Sequence, residues 1–290
     1  MLSIIICSRD AAALATVSQN VADTIGVPHE IVAIDNSTGR YGICEAYNVG
    51  AAQAKYELLC FMHEDLAFHT PNWGAEVAAI LADPTVGVLG VAGGSYEACA
   101  PSSWNLVGAE YIRMNVLHTV KGKTTHDRLA PPSGSLFDVA ALDGLWLCCR
   151  KAVWAEVRFD AKAFPGFHFY DVDFCTRVFP HYRICVTLNI LIEHFSYGSY
   201  TKPWFENAWH YYNKRRSYLP FGPVPVSASE ARRLRLLAFQ HFMRAYIDHG
   251  LPLGLGLRLL AECLSLEPTN RDSLWLLKKY IKVRMLKQSV

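Results

Sequence analysis

The sequence predicts an α/β fold with a mostly parallel central sheet, flanking helices and a C-terminal helical appendage. Three observations carry that expectation. Short apolar runs near 2–6, 30–34, 58–62 and 86–91 read as buried strands. Helical stretches separate them, and this alternation builds parallel sheets. At Pro220-Phe221-Gly222-Pro223-Val224-Pro225 the pattern breaks, and the remainder reads as helix. With 290 residues, 51% of them hydrophobic, the chain can bury a full core and is not a disordered segment.

The first run, Leu2-Ser3-Ile4-Ile5-Ile6, enters the polar turn Cys7-Ser8-Arg9. The second, Glu30-Ile31-Val32-Ala33-Ile34, ends in Asp35-Asn36-Ser37. After Tyr47-Asn48-Val49-Gly50 comes Leu58-Leu59-Cys60-Phe61-Met62, followed by His63-Glu64-Asp65. Acids at the exit of such a strand lie where α/β sheets bind ligands. Hard oxygen ligands there suit a divalent cation and a diphosphate. Asp83-Pro84-Thr85 ends a helix before the fourth strand, and Gly93-Gly94 after it permits close backbone approach. Residues 95–138 look less regular, with a hairpin expected around Lys121-Gly122-Lys123. A segment of this length reads as a lid or acceptor loop. Two more acidic stations follow, Tyr170-Asp171-Val172-Asp173 and Glu193-His194-Phe195. In the tail, Ser227-Ala228-Ser229-Glu230 fits a capping box, and Thr269-Asn270-Arg271-Asp272 an analogous helix start. Leu259, Leu260, Cys263, Leu264 and Leu266 form the apolar face of the helix between them.

No apolar run approaches the ~20 residues of a spanning helix, and no secretory signal is evident. The nine cysteines lack metal spacing, and Cys60, Cys148, Cys175 and Cys185 read as small buried hydrophobes of a reducing, cytoplasmic protein. The net charge of +2 hides an asymmetry. From residue 214 onward fourteen Lys and Arg face five Asp and Glu, a net of +9, so residues 1–213 carry −7. This division argues against general nucleic-acid binding and for a tail that meets something anionic, a lipid surface or the acidic body itself. The final helix, with Lys278, Lys279, Lys282, Arg284 and Lys287 among Leu274, Leu277, Ile281 and Leu286, either lies on an anionic membrane or docks its apolar face on the body. Neither a P-loop nor a dinucleotide fingerprint is present.

The order and spacing of these motifs, with Leu142-Asp143-Gly144-Leu145-Trp146, Arg150-Lys151 and Phe159-Asp160 before Tyr170, resemble the family-two inverting glycosyltransferases of Rossmann-like GT-A fold. The resemblance spans about residues 1–218. It implies a GT-A domain at 1–222, with 1–94 as nucleotide-binding half and 95–222 as acceptor and catalytic half, and a separate helical region at 227–290. It further implies a hexosyl transferase that moves sugar from a nucleotide-diphosphosugar, with UDP favoured by Asp35, to a hydroxyl of a glycan or lipid-linked glycan. The anomeric centre inverts, and the setting is bacterial surface polysaccharide biosynthesis at the inner face of the membrane.

By the same resemblance Asp171 is the catalytic base, although Tyr170 replaces the usual preceding Glu. Asp65 holds the last place of the Asp-x-Asp motif and, with His194, binds Mn2+ or Mg2+. His63 stands in the first acidic place and either contacts ribose or phosphate or is merely satisfied at a strand end; Glu64 compensates for the missing acid or faces the nucleotide. Cys7, Ser8, Arg9, Asp35 and Asn48 complete the nucleotide site. Asp143, Gly144 and Trp146 fall where donor-sugar or acceptor contacts lie, while Trp146 and Trp204 are equally readable as core. Ser199, Tyr200 and Lys202 form a loop over the diphosphate. Asp173 reads as structural. A competing reading is a catalytically silent nucleotide-sugar-binding or scaffold protein, prompted by His63 and Tyr170 at normally acidic positions. A nucleotidylyltransferase is disfavoured, since no glycine-rich signature follows Ile6.

Overall fold

The computed structural model describes residues 1–105, 107–198, 200–249 and 253–287. The isoleucine-rich run forms β1 (Leu2–Ser8), buried along nearly its whole length. Asp10 then caps α1 (Ala11–Thr24), its carboxylate accepting from the Ala12 and Ala13 N–H groups at 2.8 and 3.2 Å. β2 (His29–Asp35) follows, then α2 (Ile43–Gln53), β3 (Leu58–Met62) and the short β4 (Leu66–Phe68). Gly50 lets α2 press onto β1, because a Cβ there would meet the Ile5 side chain at 2.4 Å. α3 (Trp73–Leu81) leads into β5 (Val86–Gly90) and β6 (Ala92–Gly94).

The hairpin expected around Lys121-Gly122-Lys123 is present, with arms β7 (Ile112–Val120) and β8 (Lys123–Leu129), so this segment is more regular than expected. Lys121 and Gly122 both take positive φ, 52° and 74°, as a two-residue turn matched to strand twist requires. β9 (Leu136–Val139), β10 (Ala141–Leu142), β11 (Trp146–Arg150), α4 (Lys151–Val157), α5 (Tyr170–Val178), β12 (Arg183–Thr187) and β13 (Ile192–His194) complete the body.

Among the described residues seven strands make the central sheet, in the order β2-β1-β3-β11-β5-β12-β9. β2, β1, β3, β5 and β12 run one way, and β11 and β9 run against them. A second sheet, β10-β6-β7-β13-β4 with β8 on β7, lies beyond it. One consequence shapes the site. Because β11 is antiparallel to β3, the loop entering β11 lies against the chain leaving β3, and the His63 N–H donates to the Leu145 carbonyl at 3.0 Å.

Behind the sheet, Asp173 on α5 is fully buried between Arg177, at 2.8 Å, and Arg215, at 2.6 Å, and Arg215 also holds Asp160 at 2.8 Å. Arg215 belongs to α6 (Lys202–Arg215), so this cluster fastens α6 and the 159–160 turn to α5. The described residues of the tail form α7 (Ala228–Asp248), α8 (Leu253–Leu266) and α9 (Arg271–Lys287). Ser227 caps α7 by accepting from the Glu230 N–H at 3.1 Å. Glu230 itself bonds Tyr111 Oη and Arg233, both at 2.7 Å, and so ties α7 to the body. Asn270 caps α9, accepting from the Asp272 and Ser273 N–H groups. Leu259, Leu260, Cys263, Leu276 and Tyr280 are buried where the three pack. Among the described residues no helix is long and apolar enough to cross a membrane.

Candidate active site

The C-terminal ends of β1 and β2 lie side by side, with Ser8 in register with Asp35. Asp35 is exposed and accepts from the Ser37 N–H at 2.9 Å, which holds its carboxyl below the usual range. Cys7 is half-buried, and burial pushes its thiol up. Glu64 is turned towards this turn: its carboxylate accepts from Ser8 Oγ at 2.7 Å and from the Arg9 and Asp10 N–H groups at 3.1 and 3.3 Å. A carboxylate bound by three donors of the first loop braces that loop instead of replacing a missing metal ligand. The sequence grouping of Cys7, Ser8, Arg9, Asp35 and Glu64 therefore corresponds to one contiguous edge.

Next to this edge three side chains converge. His63, Asp65 and His194 present ligand atoms that all lie within 4.8 Å of one another. His194 Nε2 is 3.5 Å from Asp65 Oδ2 and 3.0 Å from Ser196 Oγ, and His63 Nδ1 is 3.9 Å from Asp65 Oδ1. Burial alone would raise the Asp65 carboxyl, but hydrogen bonding and charge from His194, with His63 and Ser196, hold it well below the usual carboxylate range. For His63, burial and then the nearby His194 favour the neutral ring. One carboxylate and two imidazoles are a donor set that fits a divalent transition ion such as Mn2+. Strand pairing puts His118 of β7 beside His194, with ring centroids 5.7 Å apart, and Asp127 takes its Nδ1 at 2.9 Å.

The third group enters from α5. The chain reaches this helix through Phe169 at φ 67°, a left-handed conformation rare for an aromatic residue and of the kind found at functional sites. Asp171 Oδ2 accepts from the Gly144 N–H at 2.8 Å, while Oδ1 accepts from the Val172 N–H at 2.9 Å. Burial, then the charge of Asp143, push the Asp171 carboxyl up to about 7. Asp143 accepts from the Leu145 N–H at 2.9 Å. Tyr170 Oη lies between His63 Nε2, at 2.9 Å, and the Gly144 carbonyl, at 2.8 Å. Hydrogen bonds through Tyr170 and Gly144 thus connect a triad able to hold a cation with the raised Asp171 carboxyl, and Glu64 connects the same strand end to the turn after β1.

Two sequence expectations need correction. Trp146 is fully buried, T-shaped against Trp73 at 6.0 Å, so no sugar reaches its ring. It faces inward because β11 is an interior strand covered on both sides. Asn48 is given other work: its amide bonds the Phe159 carbonyl at 2.8 Å and accepts from Phe159 N–H and Trp154 Nε1, both at 3.1 Å, bracing α2 against the 154–159 turn. Trp204 packs on Phe169 and Tyr200, Lys202 pairs with Glu206 on the surface of α6, and Ser199 lies outside the described residues. The sequence reading missed Phe167, which is 54% exposed with its ring 5.5 Å from that of His63. An aromatic in a Pro-Gly-Phe-His-Phe segment, three residues before the acidic station at Tyr170, was the available signal.

Residues 3–219 match the sequence profile described as "Glycosyltransferase like family". No curated protein matches the chain. Among solved structures, it is similar to the crystal structure of GalNAc-T7 with UDP, GalNAc and Mn2+, at 14% identity and a TM-score of 0.52, over 86% of this chain and 54% of that one. It is also similar to the mannosyltransferase PcManGT from Pyrobaculum calidifontis in complex with GDP-Man and Mn2+, at 13% identity and a TM-score of 0.45, over 99% of this chain and 86% of that one. The chain spans about half the length of the GalNAc-T7 chain, and the likeness between the two is one of fold.

Proposed function

Because this chain belongs to the glycosyltransferase-like family and has the GT-A fold, we propose that it transfers a sugar from a nucleotide-diphosphosugar to a hydroxyl of a glycan or lipid-linked glycan, with inversion. The observation that carries this reading is the convergence of His63, Asp65 and His194, which Tyr170 and Gly144 link to the Asp171 carboxyl. A bound divalent cation would neutralise the diphosphate of the donor and make it a better leaving group. Asp65, His63 and His194 are the residues to hold it, and a UDP-sugar is the donor class, supported by Asp35 at the nucleotide edge and by UDP in the similar GalNAc-T7 structure.

Asp171 takes the proton from the acceptor hydroxyl. The freed oxygen forms the new bond to the anomeric carbon from the face opposite the diphosphate, and the bond to the leaving oxygen breaks. The Gly144 and Val172 N–H groups orient the Asp171 carboxylate without consuming all its lone pairs. Phe167 offers its exposed face to a sugar ring, the role that Trp146 cannot fill. We place this chemistry in surface polysaccharide synthesis at the cytoplasmic face of a membrane, with the basic tail as the lipid contact.

The test incubates the protein with a panel of nucleotide-diphosphosugars and Mn2+ and follows nucleoside diphosphate release with and without glycan acceptors. Release that requires both Mn2+ and Asp171 is expected. Donor binding without any release across the panel would favour the silent binding protein instead.

A further inference from the structure

We infer that Tyr170 is a positioning residue that holds His63 in the one tautomer able to ligate a divalent cation. The inference rests on the metal reading of His63, Asp65 and His194, and adds to it a buried residue outside that ligand set. Tyr170 Oη is 2.8 Å from the Gly144 carbonyl oxygen and 2.9 Å from His63 Nε2. A carbonyl only accepts, so the single phenolic proton goes to Gly144, and towards His63 the hydroxyl accepts. Nε2 therefore carries the imidazole proton, and Nδ1 keeps its lone pair. Nδ1 is the nitrogen that faces Asp65, at 3.9 Å.

The chemistry explains why an unusual pair of residues occurs together. A carboxylate at position 63 would offer a lone pair in any state, whereas a histidine offers one only from the nitrogen without hydrogen, and a partner on the other nitrogen decides which that is. Gly144 is part of the same device: a Cβ on it would lie 2.2 Å from Tyr170 Oη, so only glycine leaves room for the hydroxyl. Tyr47 and Phe159 hold the phenol ring in place, with centroids 5.7 and 6.2 Å away.

Three proteins test this: wild type, Tyr170→Phe and Gly144→Ala, each titrated with Mn2+ by calorimetry and electron paramagnetic resonance, alone and with UDP. The His63 tautomer is read separately in metal-free wild type by long-range proton–nitrogen correlation NMR, with His63→Gln to assign the signals. The expected result is an Nε2–H tautomer in wild type and Mn2+ affinity reduced about 10- to 100-fold in both variants. An Nδ1–H tautomer overturns the inference even if neither variant folds, and so does Mn2+ affinity within about twofold of wild type in folded Tyr170→Phe. Failure of the metal reading looks different: wild type then binds no Mn2+ while His63 still shows Nε2–H, and the positioning role falls with it.

Discussion

The Asp171 carboxylate and the Gly144 backbone are joined by an N–H···O bond of 2.8 Å, which fixes the first turn of α5 to the loop that enters β11. That loop also meets the chain leaving β3 through the His63–Leu145 backbone bond, so α5, β11 and β3 are tied together at one point.

Asp171→Asn is expected to abolish transfer and leave donor affinity near wild type, since the amide keeps the shape but accepts no proton at neutral pH. With the carboxyl raised to about 7, first by burial and then by Asp143, the active base form gains population as pH rises. The kcat/KM profile of wild type should therefore climb through pH 7. The stability effect has the opposite sign. A carboxyl raised in the fold stabilises it below the unfolded value, roughly 3.9, and that contribution is lost as pH rises towards 7. Thermal melts should thus show Asp171→Asn gaining on wild type between pH 5 and pH 8, to the detriment of the base assignment if both curves run parallel.

Asp65→Ala should weaken donor binding when Mn2+ is present and leave the metal-free affinity unchanged. Two imidazoles beside one carboxylate favour Mn2+ over Mg2+, so chelation followed by Mn2+ should restore more activity than Mg2+ at equal concentration. Calorimetric titration with and without chelator measures the first effect. Equal affinities under every condition would remove Asp65 from the metal site.

Asp173→Ala should destabilise the protein by about 3–5 kcal/mol, because Arg177 and Arg215 would lose a buried counter-charge. Urea unfolding measures this. A loss under about 1 kcal/mol would mean that solvent reaches the cluster.

Phe167→Ala should raise the KM for a sugar substrate while the Asp65-dependent Mn2+ affinity stays unchanged, as expected of an exposed ring that stacks on a sugar. Trp146→Phe should instead lower the melting temperature without a selective change in KM, since Trp146 is core. Saturation kinetics and melts on the two variants distinguish these roles.

The tail is expected to bind anionic lipid. Leu276 and Tyr280 are buried, so truncating α9 would open the helical bundle. The informative change is Lys278→Glu with Lys282→Glu, both exposed. Near an anionic surface each basic residue contributes about 1 kcal/mol, so co-sedimentation with anionic vesicles should fall sharply in the variant and with added salt in wild type. Equal sedimentation of variant and wild type would assign α9 to packing alone.

The alternation of apolar runs with helical stretches was enough to determine β1, β2, β3 and β5 close to their observed bounds, because burial and periodicity are properties of neighbours along the chain. The helix starts at Ser227 and Asn270 were legible for the same reason, and Asp65, His194 and Asp171 were singled out by the motif order they share with a known family. Tertiary structure alone decided the rest. β7 carries polar residues such as Arg113, Asn115 and His118 that blur its pattern; its turn with β8 was legible, but only pairing with β6 and β13 places it in a sheet and sets His118 beside His194. Trp146 reads as a sugar platform or as core until sheet order puts β11 between β3 and β5. Glu64 turns to the first loop, 55 residues away, and His63 meets Tyr170 across 107 residues. Contacts of that range depend on which strands become neighbours, which cooperative packing of the whole core selects and no local propensity encodes.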